Sequence, residues 1–116
     1  MLNKRSETPV IYKPQCHNGE GIMICYSMLK PEESSFGLKH FQIDTLFPGA
    51  SIGEHLHDCD EEIYCCIGGS GTLMFDGEAY PFENGDLSLV TIGHSHGVIN
   101  TGKEELRLIV CKVGER

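Results

Sequence analysis

The sequence has no tryptophan, few positive charges and no long apolar run. Nothing in it approaches the ~18 consecutive apolar residues that form a membrane-spanning helix, so no membrane association is expected. Lys and Arg number 9 against 17 Asp and Glu, a formal net charge of -8. That balance argues against nucleic acid as a partner, because phosphate binding needs a basic face. The opening Met1-Leu-Asn-Lys-Arg-Ser-Glu-Thr-Pro9 has no apolar segment of the kind a secretory signal carries, and the chain is expected in the cytoplasm. No Cys-x-x-Cys pair occurs among the 6 cysteines, and Cys65 and Cys66 are adjacent, facing opposite ways on a strand. They read as reduced thiols serving as small apolar residues, with Cys59 set apart by its place between His57 and Glu61. Long helical periodicity, internal repeats and low-complexity segments are absent too.

What is present is glycine, 14 residues in 116, and a series of short apolar stretches separated by turn signals. The length suits one domain with a real core. Strands are expected at 21–28, 38–47, 51–57, 63–67, 72–75, 79–82, 87–90, 97–100 and 106–113. Asp76-Gly77 marks a two-residue hairpin, Asn84-Gly85 and Pro48-Gly49 mark further turns, and Pro31-Glu-Glu-Ser-Ser35 suits a helical turn. Many short, closely spaced strands indicate an all-β sandwich or barrel. Residues 1–37 read as an N-terminal arm and first strands, part of the same domain as a barrel core at 38–116. Within the arm, Val10-Ile-Tyr12 lies between prolines and has no obvious partner in its own chain, and an unpaired edge of this kind predicts a homodimer.

The most informative pattern is Glu54-His55-Leu56-His57 followed by Glu61 and Glu62. Alternate residues of a strand share a face, so His55 and His57 can aim both rings at one point. A carboxylate from the next strand and His94 or His96 from far downstream can add to them. Three imidazoles and a carboxylate suit a borderline divalent metal. Either Glu61 or Glu62 can serve on spacing alone.

These residues resemble the cupin family. Gly49, His55, His57, Glu62 and Gly69 stand at the spacing of its first motif, with Glu61 and Gly68 satisfying the shorter variant. Gly85, Gly93, His96 and Asn100 stand at the spacing of the second, with Thr91 where proline is usual. The resemblance runs from about Leu38 to Val113. It implies a double-stranded β-helix, or jelly-roll, barrel binding one metal through His55, His57, Glu62 and His96, and it favours pairing of two chains. It also implies that Asn100 fixes a loop.

Three neutral imidazoles and one carboxylate leave an octahedral divalent ion two open positions, enough for a small oxygen ligand. Fe, Mn, Ni, Co, Zn and Cu all tolerate this set. The expected function is a metal-dependent enzyme acting on a small oxygenated metabolite, whether dioxygenase, isomerase, lyase or decarboxylase, with Glu61, His94 or Tyr64 moving protons. The alternative is a non-catalytic module binding a sugar or other small molecule. His17 and His40 have no motif partner and read as structural. Arginine is the usual clamp for a dicarboxylate, but only Arg107 of Arg5, Arg107 and Arg116 falls in a strand, with Lys39 the other candidate cation. With an acidic rim at Glu54, Asp58, Asp60 and Glu61, a neutral or weakly charged ligand is expected over oxalate.

Overall fold

The computed structural model describes residues 1–115; Arg116, the end of the expected core segment, lies outside the described residues. Among these residues ten strands follow in order: β1 (Val10–Pro14), β2 (Ile22–Leu29), β3 (Leu38–Leu46), β4 (Ser51–His57), β5 (Asp60–Gly68), β6 (Ser70–Phe75), β7 (Glu78–Glu83), β8 (Leu87–Val90), β9 (His94–Ile99) and β10 (Leu106–Gly114). They form two antiparallel sheets, a six-stranded one ordered β1-β2-β3-β10-β5-β8 and a four-stranded one ordered β4-β9-β6-β7. The arrangement is the expected all-β jelly roll. Short 3-10 turns occupy Arg5–Glu7, Cys16–Asn18 and Pro31–Glu33, the last where a helical turn is expected. No helix among the described residues is long and apolar enough to cross a membrane.

The strands follow from their alternation. Along β5, Glu62, Tyr64 and Cys66 are buried while Glu61, Ile63 and Cys65 are less so, and the adjacent cysteines therefore face opposite ways. The inward faces supply a continuous core that includes Leu46, Ile52, Leu73, Phe82, Val98, Leu106 and Leu108. The β6–β7 hairpin turns on Asp76 and Gly77, with φ of 48° and 80°. Two successive left-handed residues make the turn whose twist matches the strands. Asp76 holds its own conformation by accepting a hydrogen bond from the Ser95 N–H at 2.8 Å.

Two expectations need correcting. The first strand has a partner in its own chain, because β1 pairs antiparallel with β2 from Val10↔Tyr26 to Pro14↔Ile22. Only its outer edge is unpaired, since β1 ends the six-stranded sheet. Also, β5 and β9 each begin three residues earlier than the apolar pattern indicates, at Asp60 and His94. Each extension carries one buried polar side chain, Glu62 and His96, into a site between the sheets.

Asn100 closes the barrel end away from that site. It is 1% exposed. Its side-chain amide donates to the Leu46 carbonyl at 2.8 Å and the Glu104 carbonyl at 2.7 Å, and its carbonyl accepts from Gly102 N–H at 3.0 Å. It thus ties the end of β3 to the β9–β10 connection. Replacing Asn100 with Ala strands buried polar groups and is expected to cost about 2–3 kcal/mol in urea unfolding. A change below about 0.5 kcal/mol would show that the loop does not depend on it.

Candidate metal centre

Four side chains from three strands meet between the two sheets. His55 and His57 lie on β4 and His96 on β9, with His55 directly opposite His96 in the ladder; Leu56 between the two β4 histidines points outward. Glu62 reaches across from β5 of the other sheet. Its Oε1 lies 3.0 Å from His96 Nε2, 3.5 Å from His57 Nε2 and 4.0 Å from His55 Nε2. One donor atom from each of the four falls within 4.8 Å of the others, so the group can hold a metal ion.

The protonation states fit that role. His57 Nε2 and His96 Nε2 face each other at 3.1 Å, so at least one presents a lone pair. Burial lowers the pKa of His55 and of His96, against the opposing pull of the hydrogen bonds these rings make to the Gly53 carbonyl and the Glu62 carboxylate respectively, which favours neutral rings. Burial works to raise the Glu62 carboxyl, but hydrogen bonds from His40 and His96 outweigh it and hold the group well below the usual carboxylate range. Neutral imidazoles and an ionised carboxylate are the forms that ligate divalent metals.

A surrounding layer aims these groups. His55 Nδ1 donates to the Gly53 carbonyl at 2.7 Å, and His57 Nδ1 meets Asp60 Oδ1 at 2.7 Å, leaving each Nε2 toward the shared point. Asp60 is itself 3.5 Å from Lys39 Nζ. His96 Nδ1 is buried without a hydrogen-bond partner, and its ring is positioned by stacking on Tyr64, centroids 4.0 Å apart and planes within 6°.

His40 and His17, read from sequence as structural, both belong here. His40 Nε2 sits 2.9 Å from Glu62 Oε2. The signal was strand order: His40 and Glu62 each pair with Lys112 of β10, so they lie two strands apart in one row. His17 stacks on His55 with centroids 3.6 Å apart. It arrives from the Cys16–Asn18 turn, which presses against β4 because Gly53 has no side chain; a Cβ there would collide with the His17 carbonyl.

Of the side chains expected to move protons, Tyr64 is beside the cluster, and burial, reinforced by Glu62, raises its pKa well above the ordinary value, so it keeps its proton. Glu61 takes the opposite strand face from Glu62, lining a surface hollow with Asp58, Cys59 and Ile92. His94 is at the rim with its side chain 47% exposed, its Nδ1 2.7 Å from Asp76 Oδ2. The structure does not bring these two to the cluster. A cavity of about 240 Å³ adjoins Glu62 inside the barrel, lined also by His17, His40, Gln42, Asp44, Tyr64, Lys13 and Lys112. Arg107 faces Gly68 at the other end of β10, far along the ladder from the Lys112–Glu62 pair.

Residues 42–112 match the family model of the cupin domain. The chain is a cupin. It is 31% identical over 109 residues to an oxalate-binding protein of Thermotoga maritima, a match spanning 94% of this chain and 90% of that one. A crystal structure from Thermotoga maritima, described as a predicted oxalate decarboxylase, superposes with a TM-score of 0.94 at 27% identity, covering 98% of this cupin and 99% of that chain. KdgF from Halomonas sp. shares the fold at 15% identity, with a TM-score of 0.77 and coverage of 100% and 94%.

The two neighbouring acids make separable predictions. In equilibrium dialysis against Co(II), Glu62→Gln is expected to lose metal and Glu61→Gln to retain it. His40→Ala, which frees Glu62 Oε2, is expected to weaken affinity about 10–100-fold. Loss in Glu61→Gln with retention in Glu62→Gln would reverse the assignment.

Proposed function

We propose that this cupin holds one divalent transition metal through His55, His57, Glu62 and His96, and docks a small carboxylate of the oxalate type on it. The observation that carries this reading is the meeting of four possible ligand atoms at Glu62, which also lines a cavity that presents Lys13 and Lys112. The metal supplies a Lewis acid with open positions. The chain supplies the rest: lysines that balance ligand charge, and a Tyr64 hydroxyl that keeps its proton and can donate a hydrogen bond. The scarcity of arginine made oxalate the less expected ligand; lysines from β1 and β10 answer that objection, because each enters the cavity from a strand whose place only the fold reveals. The likeness to a protein named as oxalate-binding supports the same ligand class.

Two uses of such a site remain, turnover of the bound acid and binding without chemistry. Turnover is the favoured reading, since a Lewis-acid centre polarises the acid it holds and Tyr64 stands beside the cavity with its proton. Tyr64, the expected proton-moving residue that lines the pocket, is then the first to test; Glu61 and His94 act only if the ligand reaches the rim. We also propose that the protein is cytoplasmic and pairs as a homodimer through the unpaired outer edge of β1, where Val10, Ile11 and Tyr12 are exposed. Light scattering that gives a monomer mass at micromolar concentration would contradict the dimer.

The test of the function uses Co(II)-loaded protein. Added oxalate is expected to change the visible spectrum, and carbon dioxide release under aerobic and anaerobic conditions then separates turnover from binding. Tight oxalate binding with an unchanged spectrum, metal confirmed present, would show that the metal is not the docking point.

A further inference from the structure

Two acids face the cavity, and their surroundings treat them differently. Glu62 has both oxygens engaged, Oε1 at 3.0 Å from His96 Nε2 and Oε2 at 2.9 Å from His40 Nε2. Asp44 of β3 is 1% exposed and lines the same cavity, yet its Oδ1 is buried with no hydrogen-bond partner. Its neighbours are drawn from every strand packed against it. Cys25 of β2 is its ladder partner, and the charges of Lys13 on β1, His40 on its own strand and Glu62 on β5 act on it through space. On β10, Leu108 is its direct ladder partner, and Lys112 lines the same cavity.

Burial is the largest influence on Asp44 and pushes its carboxyl up to about 6, against the pull of Cys25, Lys13 and His40. A pair of acids whose environments diverge in this way divides into one that stays charged and one that can carry a proton at neutral pH. Glu62 is the charged member. Asp44 is left lining the cavity while carrying a buried oxygen that nothing in the protein meets, which is costly unless a ligand supplies the partner.

We propose that Asp44 is the ligand's second anchor: it donates a hydrogen bond, as the neutral acid, to a carboxylate oxygen of the metal-docked ligand, so that binding takes up one proton. This rests on the carboxylate docking proposed above. An ionised Asp44 would instead set two negative charges side by side. The pocket therefore selects a small dicarboxylate in company with a proton.

The test measures oxalate binding to the Co(II)-loaded full chain by calorimetry at about pH 6 and about pH 8, in wild type and in Asp44→Asn. With only the neutral acid competent, wild-type affinity falls about 50-fold over that interval, as the competent fraction shrinks. Asp44→Asn keeps an N–H donor and has no charge to lose, so its pH dependence is expected to flatten and its affinity near pH 8 to exceed that of wild type. An equal slope in the two proteins would overturn the role of Asp44 while leaving metal docking intact. A metal-loaded wild type that binds no oxalate at either pH would overturn both. Carbon-13 NMR of the Asp44 carboxyl in Zn(II)-loaded wild type reads the same claim without a variant: oxalate must move its midpoint upward, and a midpoint unmoved or lowered would refute the proposal.

Discussion

Glu62 is a carboxylate buried between two sheets, and the site is organised around keeping it charged. Removing such a group from water costs several kcal/mol unless partners of the right geometry replace the solvent. His40 engages one oxygen from the six-stranded sheet, and His96 engages the other from the four-stranded sheet. The same Oε1 faces His57 and His55 at longer range, which is why four ligand atoms converge. The buried polar residues at the starts of β5 and β9, Glu62 and His96, follow from this requirement. So does Tyr64, whose ring fixes His96 where no hydrogen bond to Nδ1 does.

The N-terminal segment completes the pocket rather than standing apart from it. Gln15, His17 and Asn18 all adopt positive φ, between 47° and 62°. That conformation is uncommon for residues with side chains. It brings the Cys16–Asn18 turn back onto β4, with Gly19 and Gly53 permitting backbone contact. His17 then lies flat on His55, and burial, with His55 beside it, lowers the His17 pKa to about 4. A neutral ring stacked on the His55 ring restrains its orientation without adding charge. Lys13, on the strand leading into this turn, brings positive charge to the cavity that also contains Asp44.

Much of this was legible in the sequence, for reasons that are local. Strand parity put His55 and His57 on one face, Asp76-Gly77 marked its hairpin, and the spacing through Glu62 to His96 identified a single family pattern. What escaped depends on strand order. His40 meets Glu62 only because β10 lies between β3 and β5, and Lys112 enters the pocket for the same reason. The 61/62 choice is a matter of parity: β5 buries the even positions, so Glu62 turns inward and Glu61 outward. His94 shares a face with His96 in the sequence pattern, yet at the strand's first residue it is drawn to Asp76 of the neighbouring turn. Partner strands decided these roles, and partner strands are what a linear chain does not display.

X-ray absorption at the metal edge of the Zn(II)-loaded protein tests the four-residue centre most directly. Three imidazole nitrogens and a carboxylate oxygen predict a first shell of light scatterers at about 2.0–2.2 Å, with the multiple-scattering signature of three histidine rings. A sulfur shell at about 2.3 Å, which would bring in a cysteine such as Cys16 or Cys59, or a fit with a single histidine ring, would contradict it.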